Sequence, residues 1–389
     1  MFLYDLLILL VFVWLGRKLF QHFGLPPLFG EVFAGVLVGP LVFGMVEETE
    51  AIKTLAELGI FMLMFHSGLE SDPKDLFKAS KNAVFIALGG VVLSILGGFF
   101  TAYYFGYPPQ TALFIGMSLS ITAVAISARL FKDTKLTKTR VAHTVMTAAV
   151  MTEIVVLVFL STLLDVHETG TFMLKAVALD LLIFLAYFGI VFYVGHHYFK
   201  YLYKIVYKGN KGFTFSIIVA LTLAVIAELI GLHFIIGAFL AGLFLHQEIF
   251  EEEVFNKIED RTFGLSYSFL APVFFASLAF HLDFSVLSTL PVFFTIILLV
   301  ALVAKVFGSG FTAYWLGMSK VESFTVGLAM NSRGAVELII ATIGLQAGII
   351  DADVFSVLVL VSFATTLISI LGVKPLAKKI KAEQARVGK

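Results

Sequence analysis

The chain has 389 residues, 59% of them apolar and 14% charged, against roughly 45–50% and about 25% in soluble domains, so a soluble globular protein is excluded. Lys plus Arg and Asp plus Glu balance at 27 each, so no basic excess marks a nucleic-acid partner. Cysteine is absent, which rules out a disulfide framework, a thiolate metal site and a cysteine nucleophile.

A helix crossing a bilayer needs about 20 mainly apolar residues. Read in chain order, the sequence predicts thirteen such runs. They lie near 3–21, 26–46, 51–68, 80–106, 110–131, 140–164, 171–199, 212–231, 233–247, 262–281, 288–317, 321–348 and 353–376. The first run has no basic leader and no small-residue cleavage site, so it reads as a retained helix. With the N-terminus outside, 23 of the 27 Lys and Arg fall in inside loops or the C-terminal tail, and Lys53 and Lys175 fall outside. That bias fits the positive-inside rule for thirteen spans, N-out and C-in. Lys305 and Arg333 remain, both within runs. The run from Glu248 to Arg261 reads as a solvated loop of mixed charge. About a dozen residues follow the last run, with no room for an appended nucleotide-binding regulator, and neither GxGxxG nor GxxxxGK[ST] is present.

An ionisable group at membrane depth is unfavourable unless paired or facing water, and so is a functional candidate by default. The deep candidates are Glu31, Glu57, Glu153, Asp180, Glu228, Lys305, Arg333 and Glu337. Glu153 stands out, in TAAVMTEIVVLVFL with only Thr152 as a polar neighbour. Burial disfavours its charged form, so it can hold either a proton or a cation; the plainer reading is a structural carboxyl paired with Lys305. Lys305, in LLVALVAKVFGSGF, needs an acidic partner or becomes a proton carrier. Arg333 and Glu337 stand four apart, on one helix face, and read first as a structural ion pair. Asn331, Ser332 and Gly334 interrupt their segment, as Ser120, Thr122 and Ser127 interrupt the fifth run. Paired broken helices in corresponding places of two halves point to a transporter site. Glu31, among glycines in GLPPLFGEVFAGVLVGP, reads as structural with a possible supporting role. Glu57, Asp180 and Glu228 are expected at helix ends or interfaces. His66, His143, His196, His197 and His233 show no metal spacing.

The runs GLPPLFGEVFAGVLVGP, LAELGIFMLMFHSGLE, SITAVAISARL and IGLHFIIGAFLAGLFL resemble the monovalent cation:proton antiporters, in particular their NapA-like and Kef-type branch, over nearly the whole chain. The resemblance implies an all-α polytopic membrane protein of the NapA/NhaA-like fold, with inverted repeats and two crossed broken helices in spans five and twelve. It implies a dimerisation domain (1–68 and 212–287, whose first helix lies near 212–231), a core ion-translocation domain (69–165 and 288–376), a linker helix (166–211) and a cytoplasmic tail (377–389). It also implies an elevator-like movement of the core and a homodimer among membrane lipids. The family's ion-binding carboxylate falls on Glu153, its membrane lysine on Lys305 and its unwound-helix threonine on Thr122. Where the family usually carries Asp-Asp, Asn-Asp or Gln-Asp, this chain has Thr152-Glu153. The common Arg-Gly-Glu reads Arg333-Gly334-Ala335, with the acid moved to Glu337. Lacking an acid at 152, Lys305 is expected to face Glu153 or stand free.

The function expected is proton-driven exchange of Na+ or Li+ at Glu153, helped by Thr152, Thr122 and Ser120, with no cofactor and no enzymatic activity, in the plasma membrane of a prokaryote. Kef-type K+/H+ exchange is the alternative. An ion channel and a Na+-coupled solute symporter are further readings; the first lacks a repeated carbonyl-filter sequence.

Overall fold

A computed structural model describes residues 2–71, 81–169, 174–206, 212–245 and 252–387. Among them every regular element is helical: α1 (Phe2–His22), α2 (Pro27–Val38), α3 (Glu50–Glu70), α4 (Lys81–Tyr104), α5 (Pro109–Ser118), α6 (Val124–Asp133), α7 (Arg140–Thr169), α8 (Leu174–Val206) and α9 (Gly212–Leu229). There follow α10 (Phe234–Phe244), α11 (Glu252–Leu265), a π-turn (Ser266–Leu270), α12 (Ala271–Leu278), α13 (Val286–Thr289) and α14 (Pro291–Lys305). A second π-turn (Val306–Phe311), α15 (Thr312–Trp315), α16 (Lys320–Ala329), α17 (Ala335–Gln346) and α18 (Ala352–Val387) complete the order. Seven continuous helices among the described residues are long and apolar enough to cross a membrane, and α2, α10 and α17 are shorter apolar helices.

Local chemistry sets the boundaries. Pro27 and Pro109 open their helices at a position where the missing N–H has no helical partner to lose. Thr49 caps α3 by accepting from Ile52 N, and Ser319 with Glu322 forms a capping box at α16. Three expectations change. The apolar run 26–46 is helical only to Val38: Gly39 is extended, because the ring of Pro40 disfavours a helical residue before it. Residues 252–261, read as loop, are helix, since Phe255, Ile258 and Thr262 are buried while Glu253, Asn256, Lys257 and Asp260 are exposed, a helical period inside the mixed charge. Residues 248–251 lie outside the described residues. The tail expected from 377 is helical to Val387, because Val373, Ala377 and Ile380 continue the buried stripe past Pro375.

The chain divides into two units, Met1–Pro73 with Glu168–His281, and Lys74–His167 with Leu282–Lys389. In the first, α3 packs against α10 and α12, and α1 against α2. Lipid tails give apolar helices no hydrophobic reason to associate, so close backbone approach between small residues carries the packing. Gly16 and Gly30 supply it: a Cβ on Gly30 would lie 2.2 Å from the Gly16 carbonyl oxygen. In the second unit, α4 packs against α5, α14 and the π-turn that follows α14. A Cβ on Gly89 would lie 2.6 Å from Gly308 O.

Gly30→Leu should therefore force α1 from α2 and lower stability by about 1–3 kcal/mol. Gly189→Leu, with nothing within 4 Å of its Cβ position, should leave stability unchanged. Thermal melting of the purified variants followed by size-exclusion chromatography checks both.

Candidate ion-exchange site

In the second unit two helices break. The fifth apolar run divides into α5 and α6 around residues 119–123, and the twelfth into α16 and α17 around 330–334. Non-helical backbone at membrane depth needs partners within the protein or a watery cavity, and here the two breaks supply each other. Ala123 N donates to Ser332 O at 2.8 Å, Thr122 Oγ1 donates to Met330 O at 2.8 Å, and the Ser127 and Ser332 hydroxyls are 2.6 Å apart. Thr366 on α18 brackets the second break, accepting from Arg333 N at 2.8 Å and donating to Arg333 O at 3.0 Å.

Each break exposes one helix C-terminus, with free carbonyls, and one N-terminus, with free amides. Charged side chains go where the helix dipoles favour them. At the carboxyl end of α5, the Arg333 guanidinium donates to Ser118 O at 3.2 Å and Leu119 O at 2.7 Å. The fully buried Lys305 donates from Nζ to the next carbonyl, Ser120 O, and to Thr122 Oγ1 at 3.1 Å. At the amino end of α6, Val124 N points to Glu153 Oε1 at 3.5 Å. Glu337 lies in the first turn of α17 and accepts from Arg333 Nη1 at 2.6 Å, with both side chains buried. Two cations thus meet the carbonyl end of α5, one carboxylate meets the amide end of α6, and the other lies in the first turn of α17.

The crossing brings Glu153, Ser120, Thr122, Lys305, Arg333 and Glu337 into one unit. Lys305 departs from expectation: it does not stand free, because the unwound segment itself offers it a carbonyl and a hydroxyl. The π-turn begins at the next residue, Val306, a deviation frequent at functional sites. Ser120 enters through its backbone carbonyl; its hydroxyl donates to Met117 O at 2.7 Å. Thr152 is buried and its hydroxyl donates to Ala148 O. The acid shifted to Glu337 keeps a contact with the arginine of the break that precedes its helix. Glu31 is separate, in the first unit, 3.3 Å from Arg17 Nε. Glu57 and Glu228 are exposed, and the side chain of Asp180 lies outside the described residues. Sequence reasoning missed the carbonyls of Ser118, Leu119 and Met330 and the amide of Val124, which carry no side-chain signal. It also missed Thr366, whose cluster Ser362, Thr365, Thr366 and Ser369 in an apolar span was a readable cue. Among the described residues no three His, Asp or Glu side chains gather as a metal site.

The profile of the family described as "Sodium/hydrogen exchanger, transmembrane" matches residues 6–379. The chain is 33% identical over 385 residues to a Na+/H+ antiporter of Enterococcus hirae, covering 98% of this chain and 99% of that one. It is 30% identical over 368 residues to the Na+/H+-K+ antiporter GerN of Bacillus cereus, covering 95% and 94%. The solved structure of the sodium proton antiporter MjNhaP1 from Methanocaldococcus jannaschii at pH 8 superposes with a TM-score of 0.75 at 18% identity, over 96% of this chain and 97% of that one, so the fold is shared. On a match that spans nearly its whole length, the chain belongs to the transmembrane sodium/hydrogen exchanger family.

Proposed function

We propose that the protein exchanges Na+ or Li+ for H+ across the membrane, with Glu153 as the carboxylate that proton and cation occupy in turn. The observation that carries this reading is the position of Glu153: buried, at the amide end of α6, in a crossing that also gathers the oxygens of Ser120 and Thr122 about the Lys305 ammonium. Hard alkali cations take oxygen ligands, and Ser120 O, Thr122 Oγ1 and Thr152 Oγ1 would join the carboxylate in offering them. Competition for one carboxylate couples the two flows, because moving the core with the buried Glu153 carboxylate empty and ionised is unfavourable.

In this reading 69–165 and 288–376 form the moving core, 1–68 and 212–287 the dimerisation domain, and 166–211 the linker. The thirteen runs span the plasma membrane of a prokaryote as a homodimer, N-out and C-in. Alternating access follows from an elevator-like displacement of the core. K+ is the second cation to consider, favoured by the K+ in the name of the Bacillus relative.

Stoichiometry follows from the charges. Glu153, Glu337, Lys305 and Arg333 sum to zero, and either a proton or a monovalent cation on Glu153 leaves the site at +1. Lys305 is held by neutral oxygens, so its ammonium can remain through both half-cycles. One proton then replaces one cation, and transport is electroneutral.

Three outcomes are expected. In acid-loaded proteoliposomes with a lumenal pH dye, Na+ or Li+ should alkalinise the lumen, choline should not, and Glu153→Gln should abolish the response. A response to K+ alone would assign the Kef-like activity instead. With membrane potential clamped at equal pH, an imposed potential should drive no Na+ uptake; uptake would show that Lys305 also releases its proton. Arg333→Ala leaves Glu337 buried without its cation and two helix-end carbonyls without donors, so it should cost about 3–5 kcal/mol. Arg333→Met with Glu337→Leu should recover part of that loss, measured by thermal melting in detergent.

A further inference from the structure

One end of the second unit gathers unpaired positive charge. There Leu130, Phe131, Leu136 and Val141, from the end of α6 through the start of α7, pack with Met318 and Val321 and with Val373, Ala377 and Ile380 of α18. Exposed lysines alternate with these residues along the chain: Lys132, Lys135 and Lys138 in the first segment, Lys320 beside Val321, and Lys374, Lys378 and Lys381 on α18. Packing the apolar neighbours inward turns the amines outward onto a shared patch. Arg140 ties two of the segments, its Nη1 donating to Gly317 O at 3.3 Å. Arg129 has Asp133 at 3.8 Å, whereas none of these lysines forms an ion pair among the described residues. Lys135 even holds φ at 56°, a left-handed conformation easier for Gly or Asn.

An apolar stripe runs into the same patch. Leu299, Val303, Phe307, Phe311 and Trp315 recur every fourth residue, each between 50% and 83% exposed. In a straight α-helix of 3.6 residues per turn a four-residue repeat drifts around the axis. The π-turn at Val306–Phe311, wound more loosely, counters that drift and keeps the stripe on one face. It ends at Trp315 with Tyr314, residue types that settle at the headgroup level, and the turn after them leads to Gly317 and Lys320.

We propose that this end of the second unit binds an anionic phospholipid. The headgroup phosphate is taken by the basic groups around the 317–320 turn, Lys138, Arg140 and Lys320, and an acyl chain lies along Trp315, Phe311 and Phe307. A side-of-membrane charge bias accounts for lysines in these loops but not for their convergence beside a continuous apolar stripe. Basic pockets of this kind between membrane helices recognise acidic headgroups, and the stripe selects an amphiphile over a soluble anion.

Trp14 and Trp315 are the two tryptophans, so Trp14→Phe leaves Trp315 as the sole reporter. The full-length variant is placed in phosphatidylcholine bilayers containing equal mole fractions of either dibrominated phosphatidylglycerol or dibrominated phosphatidylcholine. Quenching of Trp315 should be at least twofold greater with the phosphatidylglycerol. Adding Lys138→Gln and Lys320→Gln, side chains without a protein partner among the described residues, should bring the ratio to one while leaving quenching by phosphatidylcholine intact, which shows the fold is kept. Equal quenching by both lipids in the parent protein overturns the proposal, as does a ratio indifferent to the two substitutions. Displacement of the brominated phosphatidylglycerol by soluble glycerol phosphate would also overturn it, by assigning a free-anion site.

Discussion

Breaking a helix inside a bilayer strands backbone carbonyls and amides where no water can meet them, at several kcal/mol for each group left unsatisfied. Everything that distinguishes the second unit answers that constraint. The two breaks are placed so that one supplies partners to the other, through Ala123 and Ser332 and through Thr122 and Met330. The remaining helix ends are met by charge, with Arg333 and Lys305 on three consecutive carbonyls after α5 and Glu153 and Glu337 at the starts of α6 and α17. The same side chains that make the broken helices tolerable are therefore the ones available for ion chemistry. In the proposed exchange structure and function do not compete for residues, because the carboxylate at a helix start is also the group assigned to hold the proton and the cation in turn.

The division of labour among the four charges follows from how firmly each is held. Arg333 has two carbonyls, the Glu337 carboxylate and a threonine bracketing its backbone, so it locks the crossing. Lys305 is held by one carbonyl and one hydroxyl on a flexible stem, an arrangement a small cation seeking oxygens could share or disturb. Glu153 accepts from the amide of Val124 at 3.5 Å, a long contact at the start of α6. The contacts lengthen from the arginine that locks the crossing to the glutamate assigned to the proposed exchange.

Much of this was legible in the sequence. Glu153 and Lys305 stand alone in runs of Val, Leu, Ile and Ala, and Ser, Thr and Gly mark both breaks, so burial of charge and loss of helix are visible without coordinates. Partners were less legible. Lys305 was expected to face Glu153 or stand free because side-chain reasoning pairs charge with charge, whereas the claim came from a carbonyl and a hydroxyl of the unwound segment. Residues 252–261 read as loop because their charges masked the period of the buried face, Phe255, Ile258 and, one turn on, Thr262. At the second helix the error ran the other way: apolarity carried the expectation to residue 46, and the backbone preference imposed by Pro40 ended the helix at Val38.

Charge balance at the crossing bears on the proposed exchange. Arg333 and Glu337 form an ion pair and Lys305 is held by oxygens, so the empty site is burdened mainly by the negative charge of the buried Glu153 carboxylate. Adding one monovalent charge there, whether proton or alkali cation, removes that burden by the same amount of charge. An acid at position 152 would upset this balance, since it would either add a negative charge or draw Lys305 away from Ser120 and Thr122. Threonine adds no charge and turns its hydroxyl to its own helix, at Ala148 O, leaving the lysine with the backbone. In the proposed exchange the Thr152-Glu153 pair places a single carboxylate where the resemblance implies Asp-Asp, Asn-Asp or Gln-Asp, and leaves the Lys305 ammonium with Ser120 O and Thr122 Oγ1.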